Sequence, residues 1–287
     1  MSTPRSRTVR RRRLGSELRR LREAAKMTIE KAAEKLECSD SRISLIENGK
    51  QGMRPKAVRE MAGLYGVTDP EQIAALEDLA KQANDKGWFA AGDEHILTAN
   101  FAAYVDLEID ARELLAYSST LVNGLLQTPD YARAVTLITL PDAAPEQVDR
   151  LVELRMGRHA RIAGEQPLTT WFVLDEAAIR RPIGSSEIMK AQLSHLIELS
   201  ERPNITIQTL PFSKGGHGSL DGPFTVLRFP DPGTDGDVVY TEGPAGISYL
   251  ENVEHVRAMS ARFDRLRVLA QDELESRLFL RSAFEEM

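Results

Sequence analysis

Cysteine is nearly absent: Cys38 is the single one in 287 residues. An internal disulfide is therefore excluded, and a disulfide scaffold with it, which fits a reducing cytoplasm. Histidine is scarce as well. His95, His159, His195, His217 and His255 form no HExxH pair, and no CxxC occurs, so no metal site is expected. No apolar stretch approaches the ~18 uncharged residues of a membrane-crossing helix, so no membrane span is expected. Neither GxGxxG opening a helix nor GxxxxGK[ST] is present, and no spacing nominates a Ser–His–acid set or a pair of working carboxylates. The sequence thus predicts no catalytic residues and no cofactor.

What is present is an ordinary globular mix, 42% apolar and 28% charged, of a length that suggests about two domains at ~150 residues each. The net charge of −6 conceals a split. Residues 1–66 hold 17 Lys and Arg against 8 Asp and Glu, a net of +9, and residues 67–287 hold 20 against 35, a net of −15. A basic head on an acidic body points to a polyanion partner for the head alone.

Residues 1–13, MSTPRSRTVRRRR, carry too few apolar groups to offset the entropy of ordering, so a disordered basic arm is expected. It lies on phosphates or in a minor groove, or it is a solvated tail. No apolar segment follows the arginines, so the arm is not read as an export signal.

From residue 14 the apolar spacing is helical. Leu14, Leu18, Leu21 and Ala25 form one stripe. Thr28 can cap a second helix with Ile29, Ala32, Ala33 and Leu36 inward. Ser39 can cap a third, with Ile43 and Ile46 inward and Asn48-Gly49 as its stop. Arg54-Pro55 and Asp69-Pro70 open two more. Each is too short to stand alone, so the five share one core, over residues 14–85. Only Glu37-Cys38-Ser39 separate the second helix from the third, the spacing of a helix-turn-helix. The outward face of the third then offers Asp40, Ser41, Arg42, Ser44 and Leu45, groups able to meet base edges in a major groove. Cys38 reads as a small core residue in the turn.

The run LRRLREAAKMTIEKAAEKLECSDSRISLIENGK, followed by Arg54-Pro55, resembles the Cro and lambda-repressor type of helix-turn-helix, often called the XRE family. The resemblance implies an internal Arg22–Glu47 ion pair that turns Arg22 toward phosphate. It implies base reading by Asp40, Ser41 and Leu45 with help from Arg42, and backbone-phosphate contacts by Asn48, Lys50 and Lys56. Thr28 and Arg54 join the phosphate set by position. The chain departs from the pattern at Ile29, where many members carry glutamine, at the acidic Asp40, and by one extra residue between Lys50 and Arg54.

The body, residues 88–287, has a different texture. Helices are expected from Thr98 to about Ser118, at 129–139, 145–163 and 185–200, and from about 251 to 280, the last with Val253, Val256, Phe263, Leu266, Leu269 and Leu274 inward. Strands are expected at 169–175, 204–211, 223–229 and 237–242. The fold class is an all-α five-helix head followed by an α+β body, a mixed sheet with covering helices. The loop SKGGHGSLDG, 213–222, follows a strand, and its Lys214 and His217 could face a small anion; the plain alternative is a turn. His159 and His195 read as surface or capped residues.

The segments LVNGLLQTPDYARA, ITIQTLPF, GPFTVLRF and VVYTEGPAG resemble an actinobacterial domain of unknown function that follows an XRE head in antitoxin-like regulators. This resemblance implies a small neighbouring-gene protein as partner. The expected function is a cytoplasmic, nucleoid-associated, homodimeric regulator that binds double-stranded DNA. Its body senses a small-molecule effector through an apolar cavity, or binds a protein through an exposed apolar patch.

Overall fold

The computed structural model describes residues 6–84, 99–230, 236–243 and 246–287. The chain divides into two compact units, one of helices and one built on a sheet. The boundary expected at 85–88 and the Thr98 cap lie outside the described residues.

Capping sets where the head's helices begin. Thr28 Oγ1 accepts from Lys31 N at 3.3 Å and opens α2 (Ile29–Lys35), and Ser39 Oγ accepts from Arg42 N at 3.2 Å and opens α3 (Asp40–Glu47). Prolines occupy the first positions of α4 (Pro55–Leu64) and α5 (Pro70–Asn84), where a missing N–H costs nothing. The first helix, α1, runs Ser6–Ala24 and corrects one expectation. Residues 6–13 are helical rather than part of a disordered arm. Arginine is a good helix former, and no proline interrupts the run between Ser6 and the apolar stripe.

Four of these helices end in one way. After each, the chain passes through a left-handed residue: Lys26 (φ 52°), Glu37 (φ 49°), Gly49 (φ 66°) and Gly66 (φ 87°). That residue and the next donate back into the last turn. Glu37 N reaches Glu34 O at 3.2 Å and Cys38 N reaches Ala33 O at 2.9 Å; Gly49 N reaches Ile46 O at 2.9 Å and Lys50 N reaches Leu45 O at 2.8 Å. This is the Schellman ending, made twice with glycine and twice without. Leu14, Leu18, Ile43, Ile46, Val58, Met61 and Leu76 are buried in one core, with Ile29, Leu36 and Cys38 packed against it. Ala25, expected inward, is exposed because α1 ends before it.

The body's sheet has six strands in the order β3-β2-β1-β4-β5-β6. They are β1 (Glu113–Ser118), β2 (Thr169–Asp175), β3 (Ile205–Leu210), β4 (Phe224–Arg228), β5 (Val238–Gly243) and β6 (Gly246–Leu250). The first three pair parallel and the rest antiparallel, which is the expected mixed sheet. Ahead of the sheet, α6 spans Ala99–Asp110. The β1–β2 crossover holds α7 (Pro129–Thr139), α8 (Pro145–Gly157) and α9 (Ala160–Ala163). The β2–β3 crossover holds α10 (Glu176–Arg180) and α11 (Ser186–Leu199). The chain closes with α12 (Val253–Leu269) and α13 (Glu273–Glu286).

Three expectations are corrected here. The first body helix stops at Asp110, and residues 113–118 are the central strand. That strand is buried on both faces, so it shows an unbroken apolar run instead of alternation. The hairpin strand β6 was not expected. The last helix is two: Asp272 forms a capping box with Glu275 and starts α13 afresh. One face of the sheet packs Leu115, Val173, Val226 and Val239 against Val256, Phe263 and Leu266 of α12. Val253, Leu269 and Leu274 lie outside that contact, at 67%, 38% and 62% exposure.

Candidate nucleic-acid interface

The helix α3 is held to α1 at two places. The first is backbone against backbone. A Cβ on Gly15 would fall against Ile46 O and lie 2.7 Å from Glu47 O, so only a glycine admits this approach. The second is a buried ion pair. Arg22 donates from Nε and Nη2 to the two carboxylate oxygens of Glu47, at 2.7 and 2.8 Å, and from Nη1 to Met27 O at 2.8 Å. The carboxylate raises the affinity of the guanidinium for its proton. Arg22 is buried, with three N–H groups spent inside the protein. It fixes α3 from inside the head. Tyr65, at the end of α4, is buried beside the pair, and burial pushes its hydroxyl upward.

So anchored, α3 turns Asp40, Ser41, Arg42 and Leu45 outward, with Leu45 at 41% exposure. Ser44 is half-buried and tied to Asn48, whose Nδ2 donates to Ser44 O at 2.7 Å and to Ser44 Oγ at 3.3 Å. Thr28 and Asn48 sit exposed at helix ends, Thr28 spending its oxygen on the cap of α2. Of the head's other cations, some are paired and some are not; Lys26, Lys31 and Lys35, on and beside α2, join no ion pair among the described residues. Arg19, Arg20, Arg59 and Lys81, on α1, α4 and α5, are each paired with a carboxylate. Arg42, Lys50, Arg54 and Lys56 form no ion pair among the described residues. These four lie on α3, at the start of α4 and in the loop between them, so uncompensated positive charge flanks the polar outer face of α3.

In the body, the loop 213–222 divides the two residues expected to face an anion. Lys214 is exposed in the 3-10 turn Phe212–Lys214. The His217 ring folds inward, 4% exposed, edge-on to Tyr117 at 5.4 Å between centroids. Ser219 N donates to His217 Nδ1 at 3.3 Å, which leaves the hydrogen on Nε2 facing Tyr117 Oη at 3.2 Å. The Tyr117 hydroxyl then donates to Asp175 Oδ2, also at 3.2 Å. Burial, then Asp175, keep that hydroxyl protonated well above its usual range. The Asp175 carboxylate, 3.7 Å from Nε2, repels anions, so the anion-facing role expected of His217 is corrected to a buried hydrogen-bond network. Arg262 of α12 grips the loop's far end through both oxygens of Asp221, at 2.9 and 2.8 Å.

Comparison with known families gives two matches. Residues 13–76 match the model of a helix-turn-helix domain. Residues 101–282 match the model of a domain of unknown function (DUF5753), which is more than half of the chain. The chain belongs to the DUF5753 family. Neither a search of curated proteins nor one of solved structures returns a match. Within the DUF5753 body the segment 121–134 is mostly core: Val122, Leu125, Leu126 and Tyr131 are buried. It also covers two arginines, Arg155 in the last turn of α8 and Arg158 directly after it. Arg158 lies in the fold against Gly124, where a Cβ would stand 3.0 Å from its guanidinium, and meets Glu108 through Nε and Nη2 at 2.9 and 2.7 Å. His159 and His195, expected at the surface or as caps, are half-buried and stacked at 6.3 Å.

Sequence reasoning passed over several of these residues. A glycine inside a helical pattern needs a packing reason, and Gly15 carried that signal. Tyr117 carried none, because its strand was read as helix. Arg155 and Arg158 fall within the helix expected at 145–163 and were not singled out.

Proposed function

We propose that the chain is a sequence-specific DNA-binding transcriptional regulator that sets α3 in the major groove. One observation carries this reading: α3 turns Asp40, Ser41, Arg42 and Leu45 outward, and Arg42, Lys50, Arg54 and Lys56 have no carboxylate partner among the described residues. Arg42 is suited to bidentate pairing with guanine, Ser41 to several base edges, and Leu45 to a thymine methyl. Asp40 at the helix start suits a cytosine amino group. Lys50, Arg54 and Lys56 would supply salt-dependent phosphate contacts, as would Asn48 and Thr28 through their polar ends.

The reading includes a homodimer whose two heads address one duplex, because helix-turn-helix proteins of this kind bind two-fold sites. Exposed Val268, Leu269, Leu274 and Leu278, on either side of the α12–α13 turn, support an interface in the body. The body, in this reading, answers a small effector or a protein partner and alters the occupancy of the heads.

The test is selection of bound fragments from genomic DNA, followed by titration of variants on the selected site. Arg42→Ala should cost about 1–3 kcal/mol and relax the preference at one base position. Lys56→Ala should weaken all sequences alike and lower the salt slope by about 1. A selection that returns no common sequence overturns the reading. A monomer on the selected DNA, seen by sedimentation, overturns the dimer.

A further inference from the structure

Three arginines of this chain use the same edge in the same way. Arg22, Arg59 and Arg158 each aim Nε–H and Nη2–H at the two oxygens of a glutamate, at 2.7–2.9 Å. The fork of the guanidinium matches the spacing of two oxygens on one centre. Arg155, in the last turn of α8 and three residues before Arg158, does not use that edge within the described residues. Its Nη1 donates to Gln127 Oε1 at 3.1 Å and to Ala132 O at 3.4 Å, both neutral acceptors. Nε and Nη2 have no acceptor among the described residues, and neither is sealed from solvent.

The group is held in position. Gln127 is 4% exposed and donates from Nε2 to Val122 O at 2.7 Å, so its oxygen is fixed toward Nη1. Ala132 belongs to the rigid α7. The empty edge is therefore aimed by its surroundings rather than swinging on a long side chain. Its charge is also poorly compensated. Burial and the neighbouring Arg158 draw the guanidinium down to about 10, against a weaker opposite pull from Glu242. It remains a cation at neutral pH, and no carboxylate among the described residues pairs with it, whereas Arg158 is matched by Glu108. A charge half-withdrawn from water without a counter-ion is costly, and a ligand that brings one offsets that cost.

We propose that the Nε/Nη2 edge of Arg155, held by Gln127 and α7, is a binding site for an anion that offers two oxygens from one centre, a carboxylate or a phosphate.

The test uses the full chain. Thermal unfolding is followed while sodium phosphate or sodium acetate replaces sodium chloride at constant ionic strength. The expected result is a saturable rise of the midpoint with one or both oxyanions. Arg155→Gln should weaken that response by about tenfold or more, the weight of a charge-assisted hydrogen-bond pair. Arg155→Lys, with charge but no fork, should fall between. Arg150→Gln, at an arginine of α8 paired with Glu153, should respond as the unaltered protein does. A response to phosphate alone assigns phosphate, and one to acetate alone assigns carboxylate. A response equal in Arg155→Gln and the unaltered protein, or none that saturates, overturns the site. Should Arg155→Gln fail to fold, the Arg155 Nε–H resonance of the unaltered protein decides: a shift on oxyanion addition supports the site, and a fixed resonance overturns it.

Discussion

Head and body each bury one bidentate Arg–Glu pair, and what stands beside each pair differs. In the head, Arg22 and Glu47 lock α3 to α1, and the unmatched cations lie outside on a surface that α3 shares. In the body, Arg158 and Glu108 are sealed under the Gly124 turn, and the unmatched cation, Arg155, lies half inside next to them. A closed pair serves as a fixed point. The charge left over beside it tells where a partner of opposite sign could come, from solvent in the head and into the fold in the body.

The largest effect that sharpens this contrast is expected at the body's pair. Glu108 is fully buried, so Glu108→Gln leaves Arg158 without a counter-charge and should cost about 3–5 kcal/mol. Glu47→Gln acts by the same mechanism, with a smaller loss because the Arg22–Glu47 pair keeps some access to water. Urea midpoints of the two variants check the order, and a larger loss for Glu47→Gln would break it.

Glycine gives a second pair of opposites. On an exposed helical site, Gly→Ala stabilises by about 1 kcal/mol. Gly63 of α4 has nothing within 4 Å of its Cβ position, so Gly63→Ala should gain roughly that amount. Gly15→Ala must push α3 off α1, and overpacking of this kind costs about 1–3 kcal/mol. It should also weaken DNA binding, since the displaced element is α3. Denaturant unfolding measures both signs, and a stabilised Gly15→Ala would show that α1 and α3 are not in close contact.

The difference between the regions also governs what could be read in advance. The head follows local rules: caps at Thr28 and Ser39, prolines at 55 and 70, and a helical period in each apolar stripe. Local rules are visible in a sequence, so helices and outward residues were legible there, while the start of α1 was not, because charged residues favour helix and disorder alike. The body depends on long-range pairing. Strand β1 is a strand because β2 and β4 flank it, and its apolar run looks the same as the helix before it. The break at Asp272 was legible as a capping box and was missed because apolar residues continued on both sides. Arg155 as a site was illegible, for its empty edge is defined by Gln127 and Ala132, residues 28 and 23 positions away.

Between pH 7.5 and 5.5 histidine titration should act on the body. No histidine precedes His95. In the body, burial holds both His159 and His195 below the ordinary histidine range, and their proximity lowers His159 further. Both are thus neutral in the fold at pH values where an unfolded chain begins to protonate, near 6.5. Stability is unaffected above that pH. Below it the unfolded state binds protons first, so stability falls until the folded-state values are passed. Urea midpoints at pH 7.5 and 5.5 should differ, and His195→Gln should shrink the difference. An unchanged difference would place the acid sensitivity elsewhere.

A last contrast lies in the four like endings in the head. Glu37 and Lys26 hold left-handed backbone that costs an ordinary residue about 1–2 kcal/mol, and Gly49 and Gly66 hold it freely. Glu37→Gly removes that cost but gives the unfolded chain more freedom, so the net gain should be about 0.5–1 kcal/mol. Gly49→Ala, at the end of α3, should lose about 1–2 kcal/mol. Both hydrogen bonds of each ending come from the backbone, so neither substitution removes one. The two shifts therefore isolate conformation from bonding. If Glu37→Gly does not stabilise, the Glu37 side chain contributes to the turn between α2 and α3 by an interaction beyond backbone geometry.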